Sequence, residues 1–271
     1  CAALLGDLGA DVIRVERVEG GEDRYMPPVT ETGEGGLYLQ MNRNKRGMTL
    51  DLGHDDGRRI VQQLVATADV VVANLPPATL TQLGLDYATL SAGHPRLIYA
   101  SISGFGQTGP KAGAPAYAPV IHAAAGYEAA SLDYQRDQSR PANNGIFLAD
   151  VLGASYAFGA IQMALYERER SGQGQHIDVS LMDSVLGMLI YEMQAAQFPP
   201  EHKRQVYEPV RSADGWVMVA AVTPRNQELL FDAIGHPEAK TDPRFATVAA
   251  KESNWGVLLE LIEGWTRQRS G

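Results

Sequence analysis

The stretch "GIFLADVLGASYAFGAIQMALYERERSGQGQHIDVSLMDS" holds one acid, Asp150, in an otherwise apolar approach to a run of small residues. A carboxylate there has two physical roles open to it. It can cap the helix that follows, a contribution of about 1 kcal/mol. Alternatively, it can act as a nucleophile: a helix N-terminus favours negative charge and offers free N–H groups, an arrangement expected to hold the acid ionised. A second feature is "GFGQTG" from Gly104 to Gly109, which matches the glycine pattern of dinucleotide-binding turns. That pattern needs a helix to begin at once beneath the pyrophosphate. Here "PKAGAPAY" follows, and its two prolines forbid that helix. NAD and flavin binding are therefore not expected, and the loop reads as a glycine-rich cover over a cleft. His54, His94, His122, His176, His202 and His236 are scattered without metal-ligand spacing, so no metal is expected.

These groups must be positioned by a scaffold, and the pattern specifies its class. "CAALLGDLGADVIRVERV" reads as a helix to about Gly9 and a strand over 12–15. "GLYLQMNRNKRGMTLDL" reads as a second extended run. An amphipathic helix follows in "DDGRRIVQQLVATADV", then strands over 70–72 and 97–102. Alternating helices and β-branched strands predict βα units and a parallel sheet. Ligands then bind beyond the carboxyl ends of the strands, at segments 16–25, 74–79 and 103–117. Segment 151–168 is expected to be one long helix whose Gly153, Ala154, Ala157, Gly159 and Ala160 admit close neighbours. From Tyr207 a hairpin turning at Asp214–Gly215 and two amphipathic helices predict a smaller α+β domain, 207–271, after a large domain, 1–200. The link "FPPEHKRQVY" between them is abrupt enough to suspect missing residues between Ala196 and Tyr207.

Composition narrows the function classes. The 271 residues carry 23 Lys+Arg against 32 Asp+Glu, a net charge of -9, which argues against nucleic-acid binding. No apolar run reaches the ~18 residues of a membrane helix, so no membrane partner is expected. A single cysteine, Cys1, fits a reducing, cytoplasmic setting. The start at Cys1, inside a helical pattern, reads as the loss of a first strand.

The motifs together resemble the family III CoA-transferases. The resemblance rests on the quoted 145–184 stretch with its "R-x-x-S-G-x-G-Q" turn, on "LGADVIRVE", "YLQMNRNKRGMTLDL" and "ADVVVANLPPATLTQLGLDY", and on "LIYASISGFGQTGP". It covers nearly the whole chain, although members are longer, so a first strand and a C-terminal part would be absent. The resemblance implies a Rossmann-like CoA domain, an interlocked ring-shaped homodimer, and acyl-CoA and a carboxylic acid as substrates. It implies that Asp150 is the nucleophile and Tyr117 an active-site tyrosine. It also implies CoA contacts at Arg17, Tyr38, Leu50, Asn74 and Leu75, the last two standing where members have Asn-Phe. Lys45 and Arg46 form a basic pair, read as lying in a Gly-bounded loop, that would meet phosphates. Departures are Pro76 and Gln82, where members carry arginines. α-Methylacyl-CoA racemases share the fold and pair the aspartate with a histidine; that histidine aligns with Tyr117, and a register slip of five residues would offer His122 as the base instead. A non-catalytic CoA-binding paralogue is the alternative of another class.

Overall fold

A computed structural model describes residues 1–271 apart from 136–138, 142–143 and 201–206. The suspected gap before Tyr207 and His202 lie outside the described residues. The chain divides into two compact units: Cys1–Ser131 with Arg140–Ile190, and Leu132–Ser139 with Tyr191–Gly271.

In the first unit the order is α1 (Ala2–Asp7), β1 (Val12–Glu16), α2 (Gly36–Met41), β2 (Lys45–Thr49), α3 (Asp55–Val65), β3 (Val70–Ala73), α4 (Pro77–Leu83), α5 (Tyr87–Ser91), β4 (Ile98–Ser103), α6 (Ala118–Ala125), α7 as far as Ser131 (Tyr127–Asp133), α8 (Leu148–Ser171), β5 (His176–Ser180) and α9 (Leu181–Met188). Strand pairing is parallel, as the alternation predicted: β1 with β2, and β3, β4 and β5 in that order. Among the described residues these form two separate pieces rather than one sheet. Alternation specifies parallel pairing, but does not say which strands are neighbours. The extended run expected over 36–52 is half helix: α2 takes "GLYLQM" and only 45–49 is strand.

Helix α8 organises the site. Its buried residues are Ala149, Gly153, Ala157, Ile161, Ala164 and Arg168, three or four apart along one face. Small side chains there allow close approach: a Cβ on Gly153 would lie 2.4 Å from Leu181 Cδ2 and 3.8 Å from Ile102 Cγ2. By length and composition α8 is also the one helix among the described residues long and apolar enough to cross a membrane, which no unbroken apolar run had suggested. Its face toward β4 and β5 is packed.

The second unit contains α10 from Tyr191 onward (Ile190–Gln197), the antiparallel hairpin β6 (Pro209–Arg211) and β7 (Trp216–Met218), α11 (Pro224–Ala233), α12 (Val248–Ser253) and α13 (Trp255–Thr266). Phe231, Phe245, Trp255, Leu258 and Ile262 are central to its core. The hairpin turns at Ser212–Gly215, and Arg211 stacks 4.0 Å from the Trp216 ring across it.

Candidate active site

The β4–α8–β5 crossover decides where Asp150 goes. A helix joining two parallel neighbours runs back against the strands, so its N-terminus lies at their carboxyl ends. Two contacts mark this directly. Gly153, near the start of α8, meets Ile102 late in β4, while the α8 C-terminus brings Gly172 to Arg96 and Gly174 to Leu97 at the start of β4. Asp150 therefore stands at the carboxyl edge, where open α/β sheets bind ligands.

Asp150 is the third residue of α8, and Phe147, without a side-chain capping bond, occupies the N-cap position. The first-turn amides are served by other groups. Leu148 N–H donates to Ile146 O at 2.9 Å and Val151 N–H to Phe147 O at 3.1 Å. Ala149 N–H donates to His122 Nε2 at 3.0 Å. The cap arrives from another helix, and Asp150 is not spent as one. The residue as a whole is exposed, and partial desolvation of its carboxyl raises its pKa above the ordinary aspartate value.

His122 is 1% exposed. With Nε2 accepting from Ala149, its proton sits on Nδ1, which faces Glu128 Oε1 at 3.7 Å. An imidazole engaged this way has no free lone pair for a substrate proton, which weighs against the base role that a register slip would give it. Tyr117 is the N-cap residue of α6 and 68% exposed. It lies five residues, or about 7.5 Å of helix rise, before His122. Tyr117 and Asp150 are thus linked through one short helix.

The "GFGQTG" loop has a mechanical role in this arrangement. A Cβ on Gly104 would lie 2.1 Å from Ala116 Cβ, so glycine there lets the segment leading into Tyr117 pack against the end of β4. Gly106 has φ +85°, and the next amide, Gln107 N–H, donates to Asp178 Oδ2 at 2.9 Å. The loop is fastened to β5.

The residues matched to CoA contacts sit at strand ends with distinct partners. Arg17 follows β1; its Nε donates to Gly20 O at 2.6 Å and its side chain is exposed. Leu50 follows β2, half-buried, its N–H on Glu16 O at 2.9 Å. Asn74 and Leu75 follow β3 and are exposed. Tyr38, on α2, lies beneath Arg24, whose guanidinium carbon is 4.0 Å from the ring centroid, with Arg14 at 5.1 Å. Lys45 and Arg46 are not a loop pair. They are consecutive in β2 and point to opposite faces. Lys45 is half-buried on Asn42 Oδ1 at 2.9 Å, with burial and then Arg14 lowering its pKa. Arg46 is exposed and paired with Asp11 at 2.7 Å. Sequence reasoning missed the cluster around Tyr38. Arg14 grips Asp23 through both carboxylate oxygens, at 2.7 and 2.9 Å, and Arg24 pairs with Glu16 at 2.5 Å. The alternating charges of "RVERVEGGEDR" were the available signal. Among the described residues no group of three His, Cys, Asp or Glu side chains could hold a metal.

A family model described as CoA-transferase family III matches residues 1–271. The chain belongs to CoA-transferase family III. It is 36% identical to the succinate–glutarate CoA-transferase of Agrobacterium fabrum, over 96% of this chain and 68% of that one. It is 35% identical to the acetyl-CoA:oxalate CoA-transferase of Acetobacter aceti, over 96% and 69%. Its fold is similar to the crystal structure of a CAIB/BAIF family protein from Brucella suis, with TM-score 0.81 and 36% identity, over 99% of this chain and 74% of that one. A family III enzyme acts on acyl-CoA thioesters and carboxylates.

One family motif now acquires structural reasons at two of its residues. In the "R-x-x-S-G-x-G-Q" turn, Arg168 is buried and donates to Asp69 O, Arg96 O and Asp69 Oδ1 at 3.3, 3.1 and 2.8 Å, tying α8 to the segments that start β3 and β4. A Cβ on Gly174 would lie 2.0 Å from Leu97 O, so only glycine fits. The two departures fall together. Pro76 is the N-cap residue of α4 and Gln82 an exposed residue within it.

Proposed function

We propose that this enzyme moves CoA between an acyl-CoA and a free carboxylic acid through a covalent intermediate on Asp150. The observation that carries the reading is a carboxylate at the carboxyl edge of the sheet that its own helix does not use as a cap. A carboxylate Oδ of Asp150 attacks the thioester carbonyl. The C–S bond breaks, giving an acyl-aspartyl anhydride and CoA thiolate. The thiolate attacks the aspartyl carbonyl and expels the acyl group as a free carboxylate, leaving an aspartyl-CoA thioester. The acceptor carboxylate attacks that thioester, releasing thiolate and forming a new mixed anhydride. Thiolate attack on the acceptor's carbonyl then yields the new acyl-CoA and restores Asp150. Each step exchanges one acyl bond for another, with no net proton or redox change.

In this reading Tyr117 supports the reacting carbonyl, and Arg17, Tyr38, Leu50, Asn74 and Leu75 line the CoA side. Lys45 acts from within the fold and Arg46 from its surface. The names of the two transferases above contain succinate, glutarate and oxalate, which supports a dicarboxylic acid as acceptor. An interlocked homodimer in the cytoplasm, with a large domain over 1–200 and a small one over 207–271, completes the proposal. The competing racemase reading lacks a histidine at Tyr117, and His122 is engaged through Nε2.

The test is the full-length protein in D2O with succinyl-CoA, acetyl-CoA and a panel of mono- and dicarboxylic acids, read by mass spectrometry of the CoA pool. A new thioester matched to an added acid, lost in Asp150→Asn, is the expected result. Deuterium at the donor α-carbon without a new thioester would overturn it in favour of racemisation. CoA binding without either product would favour the non-catalytic paralogue.

A further inference from the structure

We infer that His122 is a positioning residue for the nucleophile: as a neutral imidazole it caps α8 from outside and so keeps the Asp150 carboxylate from capping its own helix. The inference rests on the reading of Asp150 as nucleophile. The amides at the start of a helix need acceptors, and a carboxylate in the first turn is a strong one within reach. Here Ala149 N–H, immediately before Asp150, goes to His122 Nε2 at 3.0 Å. The acceptor is held from several sides. His122 lies in the last turn of α6 and is 1% exposed; Ala118, Ile121, Ala149, Leu181 and Val185 form the buried cluster around this junction. The Tyr127 ring lies 5.3 Å from the imidazole and receives Asn144 Nδ2–H on its hydroxyl at 2.9 Å.

The geometry also sets the tautomer. Nε2 accepts, so it carries no proton; Nδ1 carries it and faces Glu128 Oε1 across 3.7 Å. A doubly protonated ring would set an Nε2–H against the Ala149 N–H. The charged or titratable groups facing the imidazole are Glu128 and Tyr127 from α7 and Asp150 from α8. Glu128 Oε1 makes no hydrogen bond to Nδ1 at this distance and favours the Nδ1–H form through its charge alone. Remove the acceptor, and the Ala149 amide becomes available to the carboxylate of the next residue, Asp150. An oxygen so engaged attacks less well, and its angle toward the thioester changes.

The experiment compares His122→Leu, His122→Gln and Glu128→Ala in the full-length protein, using the donor and acceptor pair found above. Leucine fills the space without an acceptor, whereas the glutamine carbonyl can take the Ala149 N–H. The expected result is a kcat loss of about 10- to 100-fold in the Leu variant with KM for acyl-CoA changed less than about 3-fold, recovery of most of kcat in the Gln variant, and an intermediate loss on removing Glu128. Wild-type kcat in the Leu variant, or equal losses for Leu and Gln, would overturn the inference. Ring 15N NMR of the wild-type protein judges the cap without turnover. An unprotonated Nε2 with a slowly exchanging Ala149 amide supports it even if no CoA transfer is found, in which case only the reading of Asp150 fails. A protonated Nε2 overturns the cap whatever the activity.

Discussion

The guanidinium of Arg24 lies 4.0 Å from the centre of the Tyr38 ring, and an ion pair with Glu16, at the end of β1, holds it there. A carboxylate with 5% side-chain exposure thus aims a cation onto an aromatic face beside the strand ends. Arg24→Ala removes both contacts and leaves Glu16 with Arg14 at 3.3 Å as its cation. The expected cost is about 1–2 kcal/mol, because Arg24 is itself partly exposed. Urea unfolding of the variant checks it, and KM for acyl-CoA should rise more than kcat falls.

The same cluster sets an acid limit. Glu16 is held below the usual carboxylate range first by its bond from Arg24, and Asp23 first by its bond from Arg14. Both folded pKa values lie below their unfolded ones, so the stabilisation is present above the ordinary range near pH 4 and is lost as pH falls through the depressed values. Acid unfolding should shift to higher pH in Glu16→Gln.

Asp150 has the opposite sign. Its folded pKa is raised, so the native state binds its proton more tightly than the unfolded chain does. Ionisation therefore opposes folding: the penalty is absent well below the unfolded value and complete above the folded one. Asp150→Asn should melt at higher temperature than the parent at pH 7. The gap should close as pH falls below about 4, and turnover should drop roughly 1000-fold or more. Melting curves across this range, with activity at pH 7, check both parts.

Gly104 tests whether the glycine loop positions Tyr117. Gly104→Ala puts a methyl 2.1 Å from Ala116 Cβ and must move the segment leading into α6. An overpacking cost of about 1–3 kcal/mol and a fall in kcat of about 10-fold are expected. Gly113→Ala, whose methyl meets nothing within 4 Å, should be near wild type in both measurements.

Arg168→Leu tests the tie between α8 and the strands. It orphans the carbonyl of Arg96 and removes the cation from Asp69, whose own carbonyl keeps the Ile98 N–H at 3.1 Å, at an expected cost of about 2–3 kcal/mol. The urea midpoint should fall with the slope unchanged.

By itself the sequence determined the parallel α/β class, the long helix over 151–168, the hairpin turning at Asp214–Gly215 and Asp150 at a helix start. Each follows from local periodicity, or from glycine and proline chemistry acting within a few residues. Alternating strands and helices also implied that Arg17, Asn74 and Tyr117 would leave strands or loops on the ligand side. Only the tertiary structure decided which side chains serve one another. Lys45 and Arg46 are adjacent in sequence yet face apart, because β2 is a strand. Arg14, Arg24, Glu16 and Asp23 look like a solvated charge run until the turn after β1 folds them onto Tyr38. Asp150 reads as a cap until His122, 28 positions earlier, supplies the acceptor that its helix needs. A helix start must satisfy its amides, but the sequence around it does not say from where. A hydrogen bond between residues far apart in the chain exists only once the packing of α6 against α8 has brought them within 3 Å.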